Sequence, residues 1–362
     1  MRILVVNPGS SSLKLSLIGD RDETLGDRQL GDAPDADMGR AIDTFLSEVA
    51  SPDAVGYRVV HGGAALRRPV LVDAGVRREL DAAAALAPVH VPPALRLLDM
   101  LRAKLDVAHV ACFDTAFHAS LPAAAFTYAV PARWRTLGVR RYGFHGLSCA
   151  WALRRVAGLL ERHPDDLRLV VAHLGAGASV TAIRDGHSVD TSMGFTPLEG
   201  LIMATRSGSV DPGALLWLQL SHGVEPAPMS EALEHASGLV ALTGTGDMRE
   251  VLTRAAAGDD DALVARDAYV RRVCSHIGAM ATSLERIDAL VFTGGVGEHA
   301  VEIRNAVCVE LRVFGVTPPT LTPSPTADTL ISDPSASVPV LVVHAREDLQ
   351  IASEVRQVLQ GE

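Results

Sequence analysis

The sequence predicts an α/β protein built from two copies of one unit. Strand-length apolar runs alternate with longer amphipathic stretches over most of the chain, the pattern of helices packed on sheets. The N-terminal VVNPGSSSLKL is echoed by VAHLGAGASVT, with Asn7 falling on His173 and Gly9 on Gly175, close to half the chain length away. A chain of 362 residues with 48% hydrophobic composition holds material for about two domains. Glycine-turn hairpins are common, so the echo alone leaves a chance likeness open.

In order, residues 3–6 (ILVV) form an apolar run stopped by Asn7-Pro8-Gly9. Leu13, Leu15 and Leu17 then alternate with Lys14 and Ser16, which makes a strand–turn–strand hairpin. The polar, acidic stretch 19–37 reads as a turn-rich connection. Residues 54–63 (AVGYRVVHGG) read as a buried strand ending in a glycine turn. Residues 79–105 are helical in pattern, interrupted by Pro88, Pro92 and Pro93, and 109–118 form a strand running into a loop. Residues 167–186 repeat the strand–turn–strand theme. Further on, 260–286 is a long amphipathic helix, 288–295 (DALVFTGG) a buried strand ending in glycines, and 298–314 a helix. An irregular Pro/Ser/Thr-rich stretch at 317–339 precedes a last strand at 338–345 and a last helix at 348–359.

Several function classes fall away. With 33 basic and 43 acidic residues the formal net charge is −10, which argues against a broad nucleic-acid surface but leaves room for a local anion pocket. The run 3–6 is too short for a signal-peptide core, and no stretch approaches the ~20 apolar residues of a membrane span. Cys112, Cys149, Cys274 and Cys308 are widely spaced and form no Cys-x-x-Cys pair, so a cytoplasmic protein without disulfides or structural zinc is expected. Cys149, beside a histidine-bearing loop, reads as a packing residue. Of the basic residues only Lys14 and Lys104 are lysines, and Lys14 lies in the first hairpin.

The segment from Gly9 to Lys14 lacks the second glycine and the final Ser/Thr of a Walker A loop, and it leads into a strand. No glycine cluster matches the dinucleotide fingerprint either. Small-residue turns still make phosphate cradles, because their amides converge on one anion. GSSS, GAGAS and TGGVGEH (293–299) are three such turns, the last at an expected helix start. In MGFTPLEGLIMATRSGSVDPG (193–213), Arg206 is either a fork for phosphate or carboxylate or a surface arginine. Arg58 sits in a valine-rich strand and needs a partner if buried. RRYGFHG sets His145 between Phe144 and Gly146, as a functional or a structural imidazole. Asp114 and Glu347 follow apolar strands, where chemistry in open α/β sheets tends to sit.

NPGSSSLK, RVVHGG, FDTAFH, RRYGFHG, HLGAGAS, DTSMGFTPLEGLIMATRSGSVDP, FTGGVGEH and REDLQIA occur in the order and approximate spacing of the acetate/propionate kinase family. From residue 7 to about residue 352 the chain resembles that family. The resemblance implies a duplicated actin-like ATPase (ribonuclease H-like) fold of two domains with a nucleotide cleft. The first domain would comprise 1–115 plus 345–362 with one phosphate hairpin; the second, 116–344, would hold the other phosphate loop and the adenosine site.

The implied reaction is reversible, in-line transfer of the ATP γ-phosphoryl group to acetate, or to propionate, giving an acyl phosphate and ADP. By resemblance Arg58 binds the substrate carboxylate or phosphoryl group, Arg206 and His145 stabilise charge in flight, and Asp114 is the active-site aspartate. Asn7 and Glu347 match the positions for Mg²⁺, with Mn²⁺ as the alternative ion. Ser10, Ser12 and Lys14 would face the phosphates, as would His173, Leu174, Gly175, Ala176 and Gly177. Asp247, Met248 and Arg249, with Gly295, Val296, Gly297, Glu298 and His299, match the adenosine side. Val60, Val89, Phe144 and Pro197 match the acyl-tail pocket, with His90 beside it. A homodimer without nucleic-acid or membrane partners is the family expectation.

The chain departs from the family pattern in several places. Ala176 stands where an asparagine is usual, and His299 replaces the asparagine ending the adenosine loop. Tyr57 replaces a histidine, Val91 an asparagine, and Cys149 a second histidine. Losing one hydrogen bond to a charged phosphate costs roughly 1.5–3 kcal/mol. Weaker nucleotide binding or a changed donor is therefore expected. A kinase for a longer carboxylate, one using pyrophosphate, and a nucleotide-binding regulator are the alternatives.

Overall fold

The computed structural model describes residues 1–9, 12–31, 35–88, 90–319 and 325–361, with backbone alone at 35 and 36. The first sheet is built from β1 (Ile3–Pro8), β2 (Ser12–Ile18), β3 (Thr24–Gly31), β4 (Ala54–Val59), β5 (Val70–Leu71) and β6 (Ala108–Phe113). The second comprises β7 (Arg168–Leu174), β8 (Ala178–Arg184), β9 (His187–Thr191), β10 (Ala289–Thr293), β11 (Thr329–Leu330) and β12 (Val340–Val342).

The first sheet runs β3-β2-β1-β4-β6-β5 and the second β9-β8-β7-β10-β12-β11. Strand directions match at every step. The antiparallel ladder β1/β2/β3 corresponds to β7/β8/β9, the parallel pairs β1/β4 and β4/β6 to β7/β10 and β10/β12, and both sheets end in a short antiparallel edge strand. The N-terminal echo is thus one half of a duplicated topology, as the α/β expectation required.

Parallel central strands are covered on both faces, so they read as continuous apolar runs. Ile3 through Val6 and all of β10 are buried accordingly. The helix Glu347–Gln360 packs on β1, β4 and β6. That approach needs Gly56, because a Cβ there would lie 2.6 Å from the Ile351 side chain. Helix starts follow capping chemistry: the Asp259 carboxylate accepts from the Ala262 amide at 3.0 Å and opens Asp260–Ala281. Pro92 and Pro93 fall in the first turn of Val91–Lys104, where a missing N–H costs nothing. The proline-broken region is therefore two helices, Ala74–Ala84 and Val91–Lys104.

The expected connection at 19–37 instead carries β3, whose alternation is half exposed because it is an edge strand. The short polar β9 follows the second hairpin in the same way. The 260–286 helix ends at Ala281. The 298–314 helix is three pieces, Gly294–His299, Val301–Glu310 and a 3-10 turn at Leu311–Phe314. Within 317–339 the structure adds β11; residues 320–324 lie outside the described residues.

The chain divides into two compact units. One comprises Met1–Ala119, Phe144–Trp151 and Arg346–Glu362; the other comprises Ser120–Gly143 and Ala152–Ala345. The core of the first gathers Leu4, Leu15, Phe45, Tyr57, Leu98 and Phe113.

Candidate active site

In the first unit, β1, β4 and β6 lie side by side and parallel, so their C-terminal ends share one edge of the sheet. That edge carries Asn7 near the end of β1, Arg58 near the end of β4, and Asp114 directly after β6. Glu347, the first residue of its helix, joins them. Arg58 grips Asp114 through two guanidinium nitrogens: Nε donates to Oδ1 at 3.0 Å and Nη2 to Oδ2 at 2.6 Å. Arg58 Nη1 donates to Asn7 Oδ1 at 3.2 Å and lies 3.7 Å from Glu347 Oε2. Asn7 Nδ2 in turn donates to Glu347 Oε2 at 3.1 Å. The strand arginine has found its partners.

The cluster is nearly dry, with side-chain exposures of 15% for Arg58, 2% for Asp114 and 14% for Glu347. Burial opposes the charge on Arg58, but Asp114 and Glu347 together hold it firmly protonated. Burial pushes the Asp114 carboxyl above its usual range, Glu347 adds to that, and the Arg58 ion pair resists it. One cation thus faces two carboxylates. Among the described residues no group of three or more His, Cys, Asp or Glu is arranged to hold a metal ion. The Asp114 and Glu347 carboxylates with the Asn7 amide oxygen are nevertheless a hard-oxygen set, the chemistry that suits Mg²⁺ or Mn²⁺.

The His145 loop is pinned to this edge. The Gly146 amide donates to the Asp114 carbonyl at 2.8 Å, and a Cβ on Gly146 would come within 2.3 Å of that oxygen. Only glycine fits there. His145 itself adopts φ +59°, the left-handed region that a side chain takes up at a cost. Before it, the Phe144 carbonyl accepts from His118 Nε2 at 2.9 Å, and the Phe144 ring stands edge-on to His61 at 5.5 Å between centroids. Burial pulls both His61 and His118 down to about 4, so both are neutral. Val60 and His90 are half-buried in the same unit, and Val89 lies outside the described residues.

In the first hairpin Lys14 stands opposite Asn7 in the β1/β2 register. Its Nζ lies 3.4 Å from Asp348 Oδ2, and Asp348 Oδ1 also accepts from Arg346 Nε at 3.0 Å. The Ser12 carbonyl accepts from the Gly9 amide at 2.7 Å. Ser10 lies outside the described residues.

The second unit encloses a cavity of about 970 Å³. Its walls include Gly175, Ala176, Asp247, Met248, Arg249, Gly295, Val296 and His299, so three separate sequence motifs meet at one hollow. His173 and Leu174 end β7 and lead into that wall, but they, Gly177, Gly297 and Glu298 do not line it. Asp247 caps the helix Met248–Ala256, accepting from the Arg249 amide at 2.9 Å and from Arg249 Nη2 at 2.6 Å. Glu298 is 8% exposed, and its Oε1 accepts from the Gly294 and Ala345 amides, each at 2.9 Å.

Sequence reasoning missed Ala204, Leu239, Leu252 and Tyr269 among the apolar part of the walls, and the charged Arg266 and Glu302 as well. The apolar four have the residue types of any core, and Arg266 and Glu302 those of any exposed helix face, so nothing in the sequence marked them. Arg206 and Pro197 are half-buried in this unit. The Arg206 carbonyl accepts from the Met203 amide at 3.2 Å, and the loop closes against Gly238 (φ +64°), where a Cβ would lie 2.6 Å from that carbonyl.

Comparison with known proteins covers nearly the whole chain. The model of the acetokinase family matches residues 36–353. An acetate kinase of Synechococcus sp. is 41% identical, with 100% of both chains covered. Among solved structures, Porphyromonas gingivalis acetate kinase superposes with a TM-score of 0.90 at 32% identity, covering 99% of each chain. A propionate kinase from Francisella tularensis gives a TM-score of 0.90 at 33% identity over 98% of each. Among the described residues no helix is long and apolar enough to cross a membrane.

Proposed function

The chain belongs to the acetokinase family, with its duplicated actin-like fold, and from that premise we propose that it transfers the ATP γ-phosphoryl group reversibly to acetate. The products are acetyl phosphate and ADP. The observation that carries this reading is the dry Arg58–Asp114–Glu347–Asn7 cluster at the sheet edge, where one arginine faces two carboxylates.

Acetate is ionised at neutral pH, so the nucleophile needs no base. Catalysis then consists of positioning and charge neutralisation. In this mechanism Arg58 exchanges part of its bonding from Asp114 to the incoming carboxylate or phosphoryl oxygens. Its charge is secure because burial cannot displace a proton held by two carboxylates. Arg206 and His145 neutralise the equatorial oxygens in flight, with the left-handed backbone at His145 and the Gly146 amide bond holding that loop in place. Lys14, held by Asp348, faces the phosphates. Asn7, Asp114 and Glu347 would hold Mg²⁺, which when bound supplies positive charge to the transferring phosphate.

Adenosine takes the cavity of the second unit. Val60, Val89, Phe144 and Pro197, with His90, hold the acyl tail. One added methylene changes such discrimination by only ~1–3 kcal/mol, so propionate is an expected second substrate.

Ala176 and His299, both on the cavity wall, carry the second question, the phosphoryl donor. A hydroxamate assay crossing acetate, propionate and butyrate with ATP and pyrophosphate tests both. Acetate with ATP should turn over fastest. No product with any pair, beside measurable ATP binding, would favour a nucleotide-binding regulator.

A further inference from the structure

Glu298 stands inside the 293–299 turn yet does not line the cavity, while Gly295, Val296 and His299 on either side of it do. Its carboxylate has other work. One oxygen, Oε1, accepts two backbone amides from segments far apart in sequence, Gly294 and Ala345, each at 2.9 Å. Gly294 opens the turn at φ +79°, and a Cβ there would lie 2.8 Å from the Leu174 carbonyl, so its amide direction is set by the backbone around it. From the other side Arg304, 1% exposed, donates through Nη1 to the Gly297 and Glu298 carbonyls at 2.8 and 2.7 Å. The backbone of Glu298 is therefore fixed independently of its side chain.

Beyond the end of β12 each successive amide is held by a different group. Val343 donates to the Phe292 carbonyl at 3.0 Å, His344 to Asp328 Oδ1 at 2.8 Å, and Ala345 to Glu298. At Ala345 the chain leaves the second compact unit, and Arg346 begins its last stretch in the first. Two residues after Ala345 comes Glu347, whose Oε2 accepts from Asn7.

We propose that Glu298 is a positioning residue that couples occupation of the nucleotide turn to the placement of Glu347, acting through the covalent segment 345–347. An adenosine that displaces Gly294–His299 on entering the cavity must move the carboxylate that holds Ala345. Glu347 then shifts by the same short lever. Displacements near 1 Å at reacting groups change rates by up to about a hundredfold, so a lever of this size matters to the chemistry. The proposal rests on the second-unit cavity binding nucleotide.

The test compares wild type with Glu298→Ala, Glu298→Gln and Glu298→Asp, using hydrogen exchange of residues 343–347 with and without ADP. Glutamine keeps a carbonyl oxygen that can accept both amides; aspartate is one methylene too short to reach both. In wild type ADP should slow exchange across 343–347. Glu298→Gln should keep that protection, whereas Glu298→Ala and Glu298→Asp should lose it while still binding ADP by calorimetry. Turnover of Glu298→Ala should fall by about ten- to a hundredfold, with more Mg²⁺ needed for half-maximal rate. Unchanged protection in Glu298→Ala, or a defect confined to ADP affinity, would overturn the proposal. If Glu298→Ala does not fold, protection kept by Glu298→Asp and lost by Glu298→Gln would overturn it equally. Failure of the nucleotide reading would appear separately, as absence of ADP binding in wild type.

Discussion

Replacing Arg58 by methionine removes the guanidinium cation that Asp114 and Glu347 share while keeping much of the side-chain volume. Asp114, 2% exposed, then loses all three guanidinium bonds, at 3.0, 3.1 and 2.6 Å, and has no solvent to replace them. Breaking a buried ion pair from one side costs about 3–5 kcal/mol, because the remaining charge stays buried. Arg58→Met with Asp114→Asn removes the orphan charge at Asp114 and leaves only Glu347 short of its cation, so the double variant should cost less than the two single ones summed. The coupling energy should reach about 2 kcal/mol.

The sign with pH follows from Asp114. Its folded carboxyl is already raised by burial, and losing Arg58 raises it further. A raised folded pKa leaves the protein most stable below the unfolded value and costs stability as pH rises through the folded one. The Arg58→Met deficit should therefore be largest near neutrality and shrink towards pH 4. Urea unfolding followed by the fluorescence of Trp151, in the first compact unit, reads this once Trp134 and Trp217 are changed to Phe. Additive single-variant effects, within about 0.5 kcal/mol, would refute the cluster as an energetic unit.

Other outcomes are equally open to measurement. Arg206→Ala should lower kcat by about a thousandfold or more with an unchanged melting temperature, as expected of a group that stabilises charge in transfer; unaltered activity would remove Arg206 from that role. Ala176→Asn should tighten ATP binding in calorimetry by roughly tenfold or more, since it adds a donor for a charged phosphate. Gly146→Ala should lose activity and stability together, because its Cβ meets the Asp114 carbonyl at 2.3 Å; an active, equally stable variant would contradict that contact. His61 and His118, pulled down to about 4 by burial, stay neutral in the fold while the unfolded chain takes up protons. The urea midpoint should therefore fall as pH drops from about 6.5 towards 4, and fall less steeply in His118→Asn.

The chemistry was legible where the sequence broke its own pattern. An arginine within valines at Arg58 demanded a partner, and the two acids that follow apolar strands, Asp114 and Glu347, proved to be its partners. The duplication was legible as a glycine-turn echo, although only the matching strand orders turn it into topology. Strand β3 was not, because an edge strand faces water and its polar residues read as a turn-rich connection, and the equally polar β9 drew no strand reading. Leu239 and Tyr269 were hidden for the opposite reason, since a cavity wall and a core use the same residues. Glu298 was read by resemblance as a nucleotide residue, and its hold on Ala345 depends on an approach across 47 residues of sequence.

Phosphorus NMR of the purified chain with ATP, Mg²⁺ and acetate tests the central claim most directly. Acetyl phosphate and ADP should grow in equal amounts, and ATP should be re-formed when acetyl phosphate and ADP are supplied instead. ADP appearing with inorganic phosphate at the same rate with and without a carboxylate would contradict it.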